Sequence, residues 1–152
     1  MDGTDLKILN LLISKPRVNR KEIAKKLGLT PPAITHRIRK MRESGIIKGF
    51  LPVANFEKLG FDVTMFSNIK VKYDKVKEAT ARFVKDRNVC AVYYIAGEYD
   101  LLVITKFKNT QEFSEWLARV NNPKANADFI ERMNSSIVFG VMKEGFTPNK
   151  IC

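Results

Sequence analysis

The apolar residues of this chain first leave the helical period at residue 61. Up to Gly45 they recur at three and four residues, the spacing of one helix face; from residue 61 they alternate, the spacing of a half-buried strand. A chain with that switch folds as a helical module followed by an α+β module. Its 152 residues suffice for two small domains or one of average size.

The helical module reads as three short helices. Thr4 or Asp2 caps the first, over 4–14, with Leu6, Leu9 and Ile13 as its stripe and Pro16 as its stop. Asn19 caps the second, Arg20–Leu27, with Glu22 completing a capping-box pattern and Ile23, Ala24 and Leu27 turned inward; Gly28 stops it. Thr30 caps the third and Pro31 takes its first position, where proline is favoured; Ile34, Ile38 and Met41 form its buried face and Gly45 closes it. The three-residue link Gly28-Leu29-Thr30 between two helices has the length of a helix-turn-helix.

Charge supports that reading. The net charge is +11, with 27 Lys/Arg against 16 Asp/Glu. Residues 1–50 hold 12 cations and 4 acids, a balance of +8, and the remaining residues only +3. On a helical wheel Pro32, His36, Arg39 and Glu43 lie opposite the core of helix three, flanked by Thr35 and Lys40. Short polar readers near the helix start and cations along its sides are what a major-groove helix needs. The candidate DNA-binding residues are therefore Thr30, Pro31, Pro32, Ala33, Thr35, His36, Arg37, Arg39 and Lys40, with Arg20, Lys21 and Lys25 on the preceding helix for phosphates; Arg17 and Lys26 stand beside them. Arg37, at the flank of the buried stripe, suits an internal ion pair as well as a phosphate. Helical spacing alone equally suits a small bundle with a solvated charged face; the turn length and the local charge favour DNA.

Other function classes are narrowed by what is scarce. One histidine, His36, and two cysteines, Cys90 and Cys152, leave no disulfide framework and hardly a zinc site, so no metal and no cofactor are expected. A catalytic set built on His36 would sit in the wrong module, and no enzymatic activity is expected. No run approaches the ~18 apolar residues of a membrane span, and no basic segment with an apolar core opens the sequence, so no membrane partner and a cytoplasmic location are expected.

Residues 46–53 read as an extended strand leaving the helical module, and Asn55–Gly60 as a linker turn. Beyond it, Val63, Met65, Ser67, Ile69, Val71 and Tyr73 form one face of a strand. A helix over 75–87 follows, with Val76, Ala79, Phe83 and Val84 as its stripe, then strands 89–96 and 101–107 around the turn Gly97-Glu98-Tyr99-Asp100. Thr110 caps a helix with Phe113, Trp116, Leu117 and Val120 inward; Asn121–Asp128 is a polar loop and Arg132–Lys143 a last strand. The order β-α-β-β-α-β is the ferredoxin-like pattern. Cys90 reads as a core thiol and Trp116 as a core residue. Strand 89–96 is apolar in both phases and strand 101–107 is similar. The chain has no spare element for the second sheet face, so sheet-to-sheet self-association as a twofold dimer is expected.

The stretch Leu11-Leu12, Glu22-Ile23-Ala24, Leu27-Gly28-Leu29-Thr30, Arg37-Ile38, Met41 and Ser44-Gly45-Ile46-Ile47-Lys48-Gly49-Phe50 resembles the DNA-binding half of the Lrp/AsnC (leucine-responsive, feast/famine) transcription regulators. The β-α-β-β-α-β module with Gly97-Glu98-Tyr99-Asp100 between its middle strands resembles the family's effector domain, called RAM. Family recognition helices usually carry Ser or Thr where this chain has Pro32 and Ala33. The usual Gly-Asp-Tyr-Asp turn has Glu98 for its first Asp, and the usual Thr-x-Thr is Met133-Asn134-Ser135. The resemblance implies a sequence-specific DNA-binding regulator of double-stranded DNA, homodimers that assemble further, commonly to octamers, and a small amino-acid effector held between dimers. Its site would be Gly97, Glu98, Tyr99 and Asp100 with Met133, Asn134 and Ser135; a basic amino acid paired with Glu98 is one candidate. A plain hairpin turn is the other reading of Gly97–Asp100, and an effector-independent architectural DNA binder the other reading of the whole. The domain plan is 1–49 helix-turn-helix, 50–60 hinge strand and linker, 61–145 ferredoxin-like domain and 146–152 tail.

Overall fold

A computed structural model describes residues 1–15, 17–122 and 129–142. They form two compact units that divide between Val53 and Ala54, inside the segment read as hinge and linker.

The first unit holds α1 (Gly3–Ser14), α2 (Arg20–Leu27) and α3 (Pro31–Glu43). Each starts on a side-chain cap. Asp2 takes the N–H groups of Thr4 and Asp5, and Asp5 in turn takes the N–H of Asp2 at 2.9 Å, a complete capping box. Asn19 caps Glu22 at 2.9 Å, but the Glu22 carboxylate meets the Asn19 side-chain amide rather than its backbone, so the expected box is half made. Thr30 caps Ala33 and Pro31 opens α3 as expected. Gly28 ends α2 at φ 65°, a left-handed conformation that side chains disfavour. Pro16 lies outside the described residues.

Ile8, Ile23, Ala24, Ile34, Ile38, Met41 and Ile47 form this unit's core. The face of α1 is rotated from expectation: Asp5 and Ile8 are its buried residues, while Leu6, Leu9 and Ile13 are half-buried. The helix packs against α2 and α3 at once, which widens its covered face beyond one stripe. The strand expected over 46–53 does not form. Ile47 instead folds back into the helical core, its N–H bonded to the Met41 carbonyl at 3.0 Å. Phe50, Leu51 and Val53 stay exposed, since a strand needs a neighbour for its backbone groups and none is at hand.

The second unit holds β1 (Val63–Val71), α4 (Val76–Lys85), β2 (Val89–Tyr94), β3 (Leu101–Phe107), α5 (Thr110–Val120) and β4 (Ile130–Ile137), in the expected β-α-β-β-α-β order. The sheet is antiparallel with strand order β2-β3-β1-β4. One face carries the core: Val63, Met65, Ile69 and Val71 of β1 and Leu101, Val103 and Phe107 of β3 pack with Ala79 and Phe83 of α4 and Trp116 and Val120 of α5. Trp116 donates its indole N–H to Asp86 at 3.0 Å, which satisfies the one polar atom it buries.

Several details differ from the reading. Tyr73 leaves the inward face and is fully exposed, because a 3-10 turn, Tyr73–Lys75, replaces the strand's end. Val84 is exposed, one position beyond the stripe that Ala79 and Phe83 define. Asn109, not Thr110, caps α5, accepting from Glu112 at 2.8 Å. The last strand starts and stops earlier than Arg132–Lys143, and Lys143, the loop residues 123–128 and the tail with Cys152 lie outside the described residues. Cys90 is exposed rather than in the core, since a register shift between Val89 and Ala91 turns it off the covered face.

The opposite sheet face has no helix on it among the described residues. Phe66 of β1, Ala91 and Tyr93 of β2, and Leu102 and Ile104 of β3 lie there, and Phe66 and Tyr93 are 37% and 42% exposed. Within the core, Thr105 Oγ1 is buried with no hydrogen-bond partner among the described residues. A buried orphan hydroxyl costs about 1–3 kcal/mol, so Thr105→Val, of nearly the same shape, should stabilise the fold by about 1 kcal/mol. Urea unfolding measures this; a loss of stability would show that the hydroxyl is bonded.

Candidate functional site

Helix α3 presents two different faces. Ile34, Ile38 and Met41 are buried; Pro31, Pro32, Thr35, His36, Arg39 and Lys40 are exposed, and Ala33 is half-buried. Thr30 and Thr35 are engaged within the helix start, Thr35 donating to the Pro31 carbonyl at 3.0 Å. His36 Nδ1 lies 3.0 Å from Arg39 Nη2. A guanidinium only donates, so in this contact Nδ1 is the acceptor. Arg39 also stands 3.8 Å from Glu43, an exposed and weak pair. His36 and Arg39 thus form one small donor array on the outer face.

Arg20, Lys21 and Lys25 of α2 are exposed. A shallow groove joins the start of α2 to α3, lined by Arg20, Thr35, Arg39, Arg42, Glu43 and Lys48. Arg42 and Lys48 were not among the residues expected at this surface. Arg42 was accessible to the same wheel, about 80° from Ile34 and close to Thr35. Lys48 enters only because Ile47 folds back. Two cations of α3, Arg39 and Arg42, and one from each flanking segment, Arg20 and Lys48, make a surface whose charge suits a phosphate backbone.

Arg37 does not join them. Its Nη1 contacts Asp2 at 2.6 Å and Asp5 at 2.7 Å. Of the two roles open to it, the structure gives the ion pair. The hydrogen bond from Arg37 holds the Asp2 carboxyl below its ordinary range; at Asp5 the backbone N–H of Asp2 does so first and Arg37 second.

In the second unit the turn after β2 has Gly97 at φ 130°, which other residues avoid. Asp100 fastens the turn to β1. Its backbone N–H donates to the Ile69 carbonyl at 3.0 Å, and its carboxylate accepts from the Val71 N–H at 2.9 Å and Lys70 Nζ at 3.2 Å. The bond from Val71, then Lys70, holds that carboxyl below the ordinary range. Glu98 pairs with Arg132 of β4, whose guanidinium also sits 5.0 Å from the Tyr99 ring centre. Both acids of the turn therefore already face a cation, and a ligand ammonium would share or displace it. An open groove beside the turn is lined by Lys70, Val76, Thr80, Tyr94, Asp100 and Glu131.

Met133, Asn134 and Ser135 follow Arg132, which meets Glu98 of the turn, and divide between the two faces of β4. Met133 packs against the core, Ser135 Oγ lies 2.8 Å from the buried Ser67 Oγ, and Asn134 is on the other face opposite Asn68. Alternation along a strand sends neighbours to opposite faces. Lys70 and Arg132 are the turn's unexpected partners. Among the described residues no cluster of His, Cys, Asp and Glu could hold a metal ion, and no helix is long and apolar enough to cross a membrane.

Comparisons with known proteins agree with both units. A family model for winged helix-turn-helix DNA-binding domains matches residues 1–48, and one for the Lrp/AsnC ligand binding domain matches residues 64–148. An HTH-type transcriptional regulator of Pyrococcus abyssi is 37% identical over 146 residues, 96% of this chain and 97% of that protein. The structure of E. coli AsnC superposes with a TM-score of 0.85 at 26% identity, covering 97% of each chain. A transcriptional regulator of Neisseria meningitidis solved in complex with L-Met gives a TM-score of 0.84 at 22% identity, over 96% of this chain and 94% of that one. With a helix-turn-helix, a four-stranded α+β domain and these matches along nearly its whole length, the chain belongs to the Lrp/AsnC family of DNA-binding transcriptional regulators.

Proposed function

We propose that this regulator reads operator DNA with the exposed face of α3, as a homodimer joined through the uncovered sheet face, and that a small amino acid bound at the Gly97–Asp100 turn adjusts its DNA geometry. The observation that supports the DNA reading best is the joint exposure of Pro32, Thr35, His36 and Arg39 beside the Arg20, Arg42 and Lys48 groove. Such an activity belongs in the cytoplasm, beside the DNA. Dimers would present two reading helices to two half-sites about 10–10.5 base pairs apart or multiples of that. Selection of bound duplexes from a random library tests this: a two-fold site supports it, and enrichment without any sequence preference overturns it.

Phosphate contacts are tested separately. Lys25→Ala should weaken binding to every sequence alike and reduce the slope of log K against log salt by roughly one unit. An unchanged slope would remove Lys25 from the interface.

The effector reading rests on the open groove beside the turn and on the L-Met complex of the Neisseria protein, which shares the fold. A ligand shifts the assembly, up to an octamer, only if it binds two arrangements with different affinity. The engagement of Glu98 by Arg132 and of Asp100 by Lys70 favours the second reading, an architectural DNA binder without effector. Calorimetry with the standard amino acids separates the two: one saturable signal sinks the architectural version, and silence from all of them sinks effector control.

A further inference from the structure

We propose that Asp2 and Asp5 hold Arg37 away from the DNA backbone, and that this clamp fixes the setting of α3, so that Arg37 is a positioning residue for sequence readout. The proposal rests on α3 being the reading helix.

At 100° per residue Arg37 lies about 60° from the centre of the buried stripe and about 60° from Lys40. An arginine at that angle has a long enough side chain to turn outward to a phosphate beside Lys40 or inward to α1. The inward choice is made by carboxylates that are set in place beforehand. Asp2 Oδ1 caps Thr4 and Asp5, and Asp5 Oδ2 accepts from Asp2; the remaining oxygens, Asp2 Oδ2 and Asp5 Oδ1, both take Arg37 Nη1. Asp5 is buried, so its bond to Arg37 is shielded from solvent more than a surface pair. Rotation of α3 about its axis would break both contacts.

Two consequences follow. First, α3 is tied to α1 by a directional contact in addition to the apolar packing of Ile8, Ile34 and Ile38, which by itself tolerates sliding. Second, a cation at the flank of the reading helix is withdrawn from general phosphate binding and surrounded by two negative charges. Non-specific affinity is lowered while base readout is kept in register, and the ratio of operator to random DNA rises. Arg39, Lys40 and Arg42 remain exposed on the same helix.

The test uses the full chain, its selected operator and a random-sequence duplex, titrated across a salt series. In Asp2→Asn/Asp5→Asn the amides keep the cap acceptors and release the guanidinium. Its salt slope on random DNA should steepen by about 0.9, the value for one gained phosphate contact, and its operator-to-random ratio should fall about tenfold. Arg37→Ala should lose the same ratio with the wild-type slope. Asp2→Asn alone, the milder change, should move both readouts in the same direction by less. If Arg37→Ala lowers the slope by about one unit, Arg37 already contacts phosphate and the clamp is overturned. An unchanged ratio in the double variant overturns it too. A loss of ratio in His36→Ala shows α3 reading DNA; if that ratio is unaffected, the reading-helix assignment fails and takes the clamp with it.

Discussion

Ile104→Glu should turn the proposed dimer into a monomer on size-exclusion chromatography with light scattering, and weaken binding to a two-half-site operator by about 10²–10⁴-fold. Ile104 sits in the middle of the sheet face on which no helix lies among the described residues, paired with Phe66 of β1 on one side and Ala91 of β2 on the other. Within one chain it is only half-buried, so a carboxylate there costs the monomer little. In a dimer packed through this face the same carboxylate would be buried against apolar side chains of the partner, and a buried charge is strongly disfavoured; the cations Lys106 and Lys70 of this face are engaged by Thr64 and Asp100. The DNA effect follows from linkage alone. Two reading helices in one dimer make the second half-site contact intramolecular, and separating them removes that gain without touching either helix. Affinity for a single half-site should therefore be unchanged. A variant that stays dimeric and keeps its operator affinity would place the subunit interface elsewhere.

What could be read in the sequence was what short-range chemistry decides. Gly28, Thr30 and Pro31 fix the two boundaries of the turn between α2 and α3, Asn19 fixes the start of α2, and the expected span of α2 matches the structure to the residue. The alternation of β1 and β3 and the burial of Trp116 were equally local in origin. What could not be read depends on a partner far along the chain or absent from it. Arg37 meets carboxylates more than thirty residues away, and Glu98 meets Arg132 at a similar separation. Spacing along the helix left both roles of Arg37 open, and the fold decides between them. Residues 46–53 carry strand-forming side chains, yet strand formation requires a neighbour that one chain does not supply here. The Met133-Asn134-Ser135 segment is the reverse case. Family resemblance groups the three residues, whereas strand alternation divides them between faces.

His36→Ala combined with Arg39→Ala should abolish discrimination between operator and random DNA, while leaving the fold and much of the non-specific affinity in place. The pair forms one array, with Arg39 donating to His36 Nδ1 at 3.0 Å, so removing either partner also frees the other's orientation. The two losses should therefore not add, and each single variant should lose a large part of what the double variant loses. A directional contact to a base edge is worth about 1–3 kcal/mol of discrimination, so losing two readers lowers the operator-to-random ratio by one to four orders of magnitude. Both side chains are exposed and neither packs in the core, so thermal unfolding should shift little. Arg39 is also a cation, and its loss should reduce the salt slope by up to one unit, whereas His36→Ala should leave the slope alone. That split separates reading from neutralising on a single helix face. If the ratio survives in the double variant while Lys25→Ala and Arg20→Ala still weaken binding, the basic surface is real but its base readers lie elsewhere on the module, and Thr35 and Pro32 at the helix start become the residues to change next.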